Sequence, residues 1–109
     1  MKYASAEWPV VLICKGVSYY GTADEDLFFD WIEHIPSIIK FDGRWKYLFL
    51  HFESADIPDA DLRELLALFY RYDVDMKQLA IFLNPGNSVW FYEQRPNYWH
   101  TKVFGEHKL

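Results

Sequence analysis

A chain of 109 residues that carries nine Phe, eight Tyr and five Trp cannot bury all of its rings. At 13.1 kDa it should expose roughly 19,000 Å² unfolded and about 6,400 Å² folded, enough for one hydrophobic core and too little for two. The whole chain, residues 1–109, therefore reads as a single domain. Its 51% hydrophobic content excludes a disordered chain. Some rings must reach the surface, where Tyr and Trp serve as binding anchors. The bland counterpart is a half-buried strand residue with a wet hydroxyl or indole end.

Charge narrows the partners. Eleven basic residues stand against 16 acidic ones, a net of −5. That balance argues against nucleic acid and against an anionic membrane surface. It is also uneven. Residues 24–75 hold 13 acids and 5 bases, a net of −8, whereas the remainder holds 3 acids and 6 bases, a net of +3. An acidic block of this kind is either an ordinary solvated face or a surface shaped to meet a basic partner. The lone cysteine, Cys14, leaves no intramolecular disulfide and no multi-cysteine zinc site. The beginning, Met1-Lys2-Tyr3-Ala4, has no long apolar stretch, and a cytosolic, cytoplasmic location is expected.

Periodicity predicts an α+β fold: a mainly antiparallel sheet of about five strands with two to three helices packed on it. Residues 9–14 read as a short buried strand with no polar alternation. Thr22 with Glu25 suggests a capping box, opening a helix whose buried arc is Leu27, Phe28, Trp31, Ile32 and Ile35, stopped by Pro36. Phe29 lies outside that arc, beside Asp26, Asp30 and Glu33. Residues 37–41 form a strand, Asp42-Gly43 signals a hairpin, and residues 45–53 return with both faces largely apolar. Pro58 and two acids open a second helix with the stripe Leu62, Leu65, Leu66, Phe69 and Tyr72. Asp75 caps a short helix over residues 76–83, with Gln78 in the capping-box position and a strand as the alternative. Residues 89–92 and 98–104 read as two closing strands joined by Gln94-Arg95-Pro96-Asn97.

Catalytic patterns are scarce. His34, His51, His100 and His107 show no metal-ligand spacing, and Cys14 sits in the most apolar run, where a thiol is usually structural. No nucleophile elbow or phosphate-binding glycine loop occurs. The carboxylate pairs Asp24/Asp26, Asp59/Asp61 and Asp73/Asp75 stand at i, i+2, which on a helix sends them to different faces. The chain therefore reads as a binding protein without catalytic residues, metal or cofactor. The candidate partner-binding residues are the acids Asp26, Asp30, Glu33, Asp59, Asp61, Glu64, Asp73 and Asp75 with the rings Phe29, Tyr70 and Tyr92. An unpaired sheet edge would offer a route to a homodimer. Two alternatives stand beside this reading: a regulatory or scaffold domain recognising a protein or peptide through its aromatic sheet face, and a small enzyme using His51 or His100 with a carboxylate.

Three segments carry a resemblance: Asp26-Leu27-Phe28-Phe29-Asp30-Trp31-Ile32, then Leu65-Leu66-Ala67-Leu68-Phe69-Tyr70-Arg71-Tyr72-Asp73-Val74-Asp75-Met76-Lys77-Gln78-Leu79, and the aromatic end from Tyr98-Trp99 to Val103-Phe104-Gly105. In these the chain resembles the small immunity proteins of bacterial polymorphic-toxin and contact-dependent growth-inhibition systems. The resemblance implies a cytosolic antitoxin that forms a heterodimer with one cognate toxin domain, often a nuclease, and blocks it. It implies no catalytic residue and does not locate the interface.

Overall fold

The computed structural model describes residues 9–105; His107 lies outside the described residues. Three strands form one antiparallel sheet in the order β1-β3-β2, with β1 at Val10–Lys15, β2 at Ile38–Arg44 and β3 at Tyr47–Phe52. Helix α1 spans Thr22–Glu33 and α2 spans Asp59–Arg71. A 3-10 segment at Met76–Phe82, a π-helical turn at Val89–Glu93 and a short helix α3 at His100–Phe104 complete the described chain. The α+β class and the antiparallel sheet are as expected, but the sheet has three strands rather than about five.

The two missing strands have a physical explanation. The runs around Trp90 and Trp99 are rich in β-favouring rings, but strand preference is decided by packing. Here side-chain amides fix helical turns instead. Asn97 Oδ1 accepts the backbone N–H groups of Trp99 and His100 at 3.0 and 2.7 Å, opening α3 as a capping residue would. Buried Asn87 donates to the Phe82 carbonyl and accepts from the Asn84 N–H. Trp99 Nε1 donates to the Phe91 carbonyl at 2.9 Å, and the Phe91 and Phe104 rings meet edge-on at 5.0 Å.

The hairpin turn also differs from expectation. Asp42 and Gly43 lie in the ladder opposite Phe49 and Leu48, and the turn is Trp45-Lys46, between paired Arg44 and Tyr47. This register sets Phe41 opposite Leu50, both toward the helices. Phe41 meets Phe29 of α1 at 5.6 Å, and Leu50 is fully buried. The facial pattern, more than the local Asp-Gly signal, fixes the pairing. On β1, Val10, Leu12 and Cys14 enter the core while Val11, Ile13 and Lys15 face outward.

Both long helices lack a side-chain cap at the expected place. Gly21 occupies the N-cap of α1, and Thr22 already lies inside the helix. Asp24, rather than a Thr22–Glu25 box, accepts the nearby N–H of Tyr20 at 2.9 Å. Phe28 and Ile32 of α1 are buried as expected, but Leu27 is 61% exposed. Phe29 is half-buried against Tyr19, Phe28 and Phe41 rather than presented to solvent. From α2, Leu62, Leu65, Leu66, Leu68 and Phe69 are fully buried.

The β1 edge is occupied by a side chain. Gln78 accepts the Ile13 N–H at 2.7 Å and returns its amide to the Ile13 carbonyl at 2.8 Å, as a neighbouring strand would. It also donates to the Asp75 carbonyl, while Asp75 Oδ1 accepts the Lys77 N–H as a cap. Gln78 thus protects the sheet edge, a role different from the capping box expected of it.

Candidate partner-binding face

One flank of α1 and the C-terminal end of α2 enclose a cleft of about 580 Å³, lined by Asp24, Leu27, Asp30, Trp31, His34, Arg71 and Tyr72. The positions 24, 27, 31 and 34 follow helical spacing, so one stripe of α1 supplies much of the lining. Leu27, Trp31 and Tyr72 supply apolar lining, Asp24 and Asp30 provide carboxylates, and Arg71 a guanidinium. Asp24, Arg71 and Tyr72 continue into a second cleft with Gly16, Ser18, Tyr20 and Asp73. Asp73 leads on to a third, which holds Tyr70, Asp75, Lys77 and Lys102. The three clefts form a crescent around the α2 terminus, in which the carboxylates of Asp24, Asp30, Asp73 and Asp75 stand among the cations Arg71, Lys77 and Lys102.

Local chemistry makes the crescent firm. Tyr72 donates its hydroxyl to Asp24 Oδ1 at 3.0 Å, while Asp24 Oδ2 holds the Tyr20 N–H. Burial first, and then the Asp24 hydrogen bond and charge, raise the Tyr72 hydroxyl above its ordinary pKa. The Tyr72 ring meets Phe28 edge-on at 4.8 Å, and Trp31 Nε1 donates to Glu64 Oε1 at 2.8 Å. Helix α2 ends in a Schellman arrangement: the Val74 N–H reaches the Phe69 carbonyl at 2.9 Å and the Asp73 N–H reaches Tyr70. That motif puts Asp73 in the left-handed region, at φ 57, and its side chain remains exposed.

The structure gathers Asp30, Tyr70, Asp73 and Asp75 on the crescent. Asp26 and Glu33 are exposed on the solvent side of α1, and Glu64 is exposed while holding Trp31. Asp59 is exposed at the start of α2 and lines none of the three clefts. Asp61 is no docking residue: it is 9% exposed, and Oδ2 accepts both the N–H and the hydroxyl of Ser37. Tyr92 is partly exposed in a C-terminal ring cluster with His100 and Phe104, off the crescent. Helical arcs place Leu27, Trp31 and Tyr72 toward the core, but all three line the cleft instead.

The opposite sheet face has its own character. Across the ladder run the rows Lys15–Tyr47–Arg44, Ile13–Phe49–Asp42 and Val11–His51–Lys40. His51 is buried with Nε2 2.8 Å from Asp42 Oδ2, and its Nδ1 is shielded without a hydrogen-bond partner. Among the described residues, no group of three or more His, Cys, Asp or Glu is placed to hold a metal ion. No described helix is long and apolar enough to cross a membrane. Comparison with family models, curated proteins and solved structures finds no match.

Proposed function

We propose that this chain is an immunity protein that binds and neutralises a cognate bacterial toxin domain, a nuclease, by covering its basic active-site surface. The observation that carries the reading is the crescent: Asp24 and Asp30 share a cleft with Leu27, Trp31, Tyr72 and Arg71, and Asp73 and Asp75 extend the carboxylate row into the adjoining clefts. A nuclease holds phosphates with Lys and Arg, and carboxylates around an apolar floor compete for those cations. Charge complementarity supplies fast encounter and selectivity, and desolvated rings supply the anchors. A tight inhibitor covers about 800 Å² per partner, roughly a ninth of the 7187 Å² surface of this protein.

A second reading draws on the sheet face, where Val11 and Ile13 are 38% and 40% exposed beside Tyr47 and Phe49. A scaffold or regulatory domain would dock a peptide there. It would bind more weakly, less selectively and without protecting cells from a toxin.

Co-expression with the domain encoded immediately upstream separates the two. The inhibitor reading expects a one-to-one complex that weakens with salt and abolishes toxicity. Absence of an upstream toxin, or no complex at micromolar concentration, overturns it in favour of the sheet-face reading.

A further inference from the structure

Two unfavourable features coincide at Trp45. It occupies the first position of the two-residue β2–β3 turn at φ 64, a conformation normally left to Gly, Asn or Asp. Its side chain is also 95% exposed, so the largest apolar residue type gains almost nothing from burial. Strain of this kind persists where function retains it. Asp73 is the other non-glycine residue at positive φ among the described residues, and it stands on the crescent.

The tip bearing Trp45 is basic. Arg44 and Lys46 flank the indole, the Lys46 ammonium lies 5.9 Å from the Trp45 ring centroid, and Lys15 lies 6.0 Å from that of Tyr47. The Gly16 N–H donates to the Lys46 carbonyl at 2.8 Å and ties the tip to the loop that follows β1. An exposed aromatic knob between cations calls for an apolar recess with carboxylates on its rim. The crescent offers such a recess: Leu27, Trp31 and Tyr72 line it, and the carboxylates of Asp24, Asp30 and Asp73 outnumber the Arg71 guanidinium.

We propose that a second copy of this chain is the occupant: the Arg44-Trp45-Lys46 tip of one copy seats in the Leu27–Trp31–Tyr72 cleft of another. Gly16 lines both the cleft beside Trp45 and the one holding Asp24 and Tyr72, so knob and recess flank one loop. Two copies related by a two-fold axis can exchange tips reciprocally, which closes the assembly as a dimer. The inference rests on the crescent as a docking surface and not on the partner being a toxin. In the pair the crescent is covered, so self-association and partner binding compete.

Sedimentation velocity on the chain alone tests it, from low micromolar to near-millimolar concentration and at low and high ionic strength. The mass should climb from 13.1 kDa toward twice that value with concentration and fall back as salt screens the ion pairs. Trp45→Gly should weaken association by about thirtyfold or more, the size of a hot-spot truncation. Its thermal midpoint should hold or rise, because Gly suits the left-handed turn. Leu27→Asp should weaken association equally, and mixing the two variants should restore a heterodimer through the one intact knob and recess. A 13.1 kDa species at every concentration overturns the inference, as does association that Trp45→Gly leaves intact. An upstream partner that binds while the free chain stays monomeric would leave the function and reject this pairing.

Discussion

The two ends of α2 use the same Asp-x-Asp pattern in opposite ways. At the N-terminal end Asp61 is buried and fastens Ser37, joining the helix to the segment that leads into β2. At the C-terminal end Asp73 is exposed in a strained backbone conformation and opens onto two clefts. The difference teaches where this fold keeps polar groups for itself and where it leaves them for something else. Carboxylates with orphaned backbone donors beside them become structural. Asp73, at a terminus already closed by backbone bonds, is left exposed, while Asp75 caps the next turn through the Lys77 N–H.

The largest expected effect lies at the structural end. Asp61→Ala should lower unfolding free energy by about 2–3 kcal/mol, because a buried hydrogen-bonding set loses its acceptor. Urea denaturation measures it, and partner association should be unchanged for the folded fraction. A loss below about 0.5 kcal/mol would place Asp61 with the solvated surface acids. Gln78→Ala should cost about 1–2 kcal/mol through two lost bonds to Ile13. It should also increase aggregation, since the β1 edge loses its cover. Light scattering at matched stability separates the two effects. At the open end the sign reverses: Asp73→Gly should raise stability by at most about 1 kcal/mol, because Gly fits the left-handed position without strain. Slower partner association should accompany that gain.

The smallest effect at neutral pH belongs to the buried thiol. Burial pushes Cys14 from 9.0 up to about 12. Burial, with the charge of Glu25 next, pushes Tyr19 from 10.0 up to about 12. Both groups hold their protons more tightly folded than unfolded. Their contribution is therefore constant below pH 9 and falls as pH rises from about 9 toward about 12. Cys14→Ala should flatten part of that decline in the urea midpoint. An unchanged slope would remove Cys14 as its source.

Much of this was legible in the residues. The first strand is legible as an apolar run, although its outward face of Val11 and Ile13 is not, and the α2 stripe Leu62, Leu65, Leu66 and Phe69 and the two faces of β3 follow from periodicity. The C-terminal third was not legible. Rings there favour strands locally, and only long-range packing with the amides of Asn87 and Asn97 selects helical turns. The site was half legible. Charge density pointed to Asp30, Asp73 and Asp75, but the same signal included Asp61, whose partner Ser37 lies 24 residues away in sequence. The apolar lining was hidden because Leu27 and Trp31 share their helical arc with true core residues such as Phe28 and Ile32.

The central claim is that the crescent, and not the start of α2, meets the partner. Stopped-flow association with the upstream-encoded domain compares Asp30→Lys/Asp73→Lys with the matched reversal Asp56→Lys/Asp59→Lys. The account predicts that the crescent pair slows association by about tenfold or more at low salt and flattens its salt dependence, while the α2-start pair changes the rate by less than about twofold. Equal slowing by both pairs, or slowing by the α2-start pair alone, would contradict it.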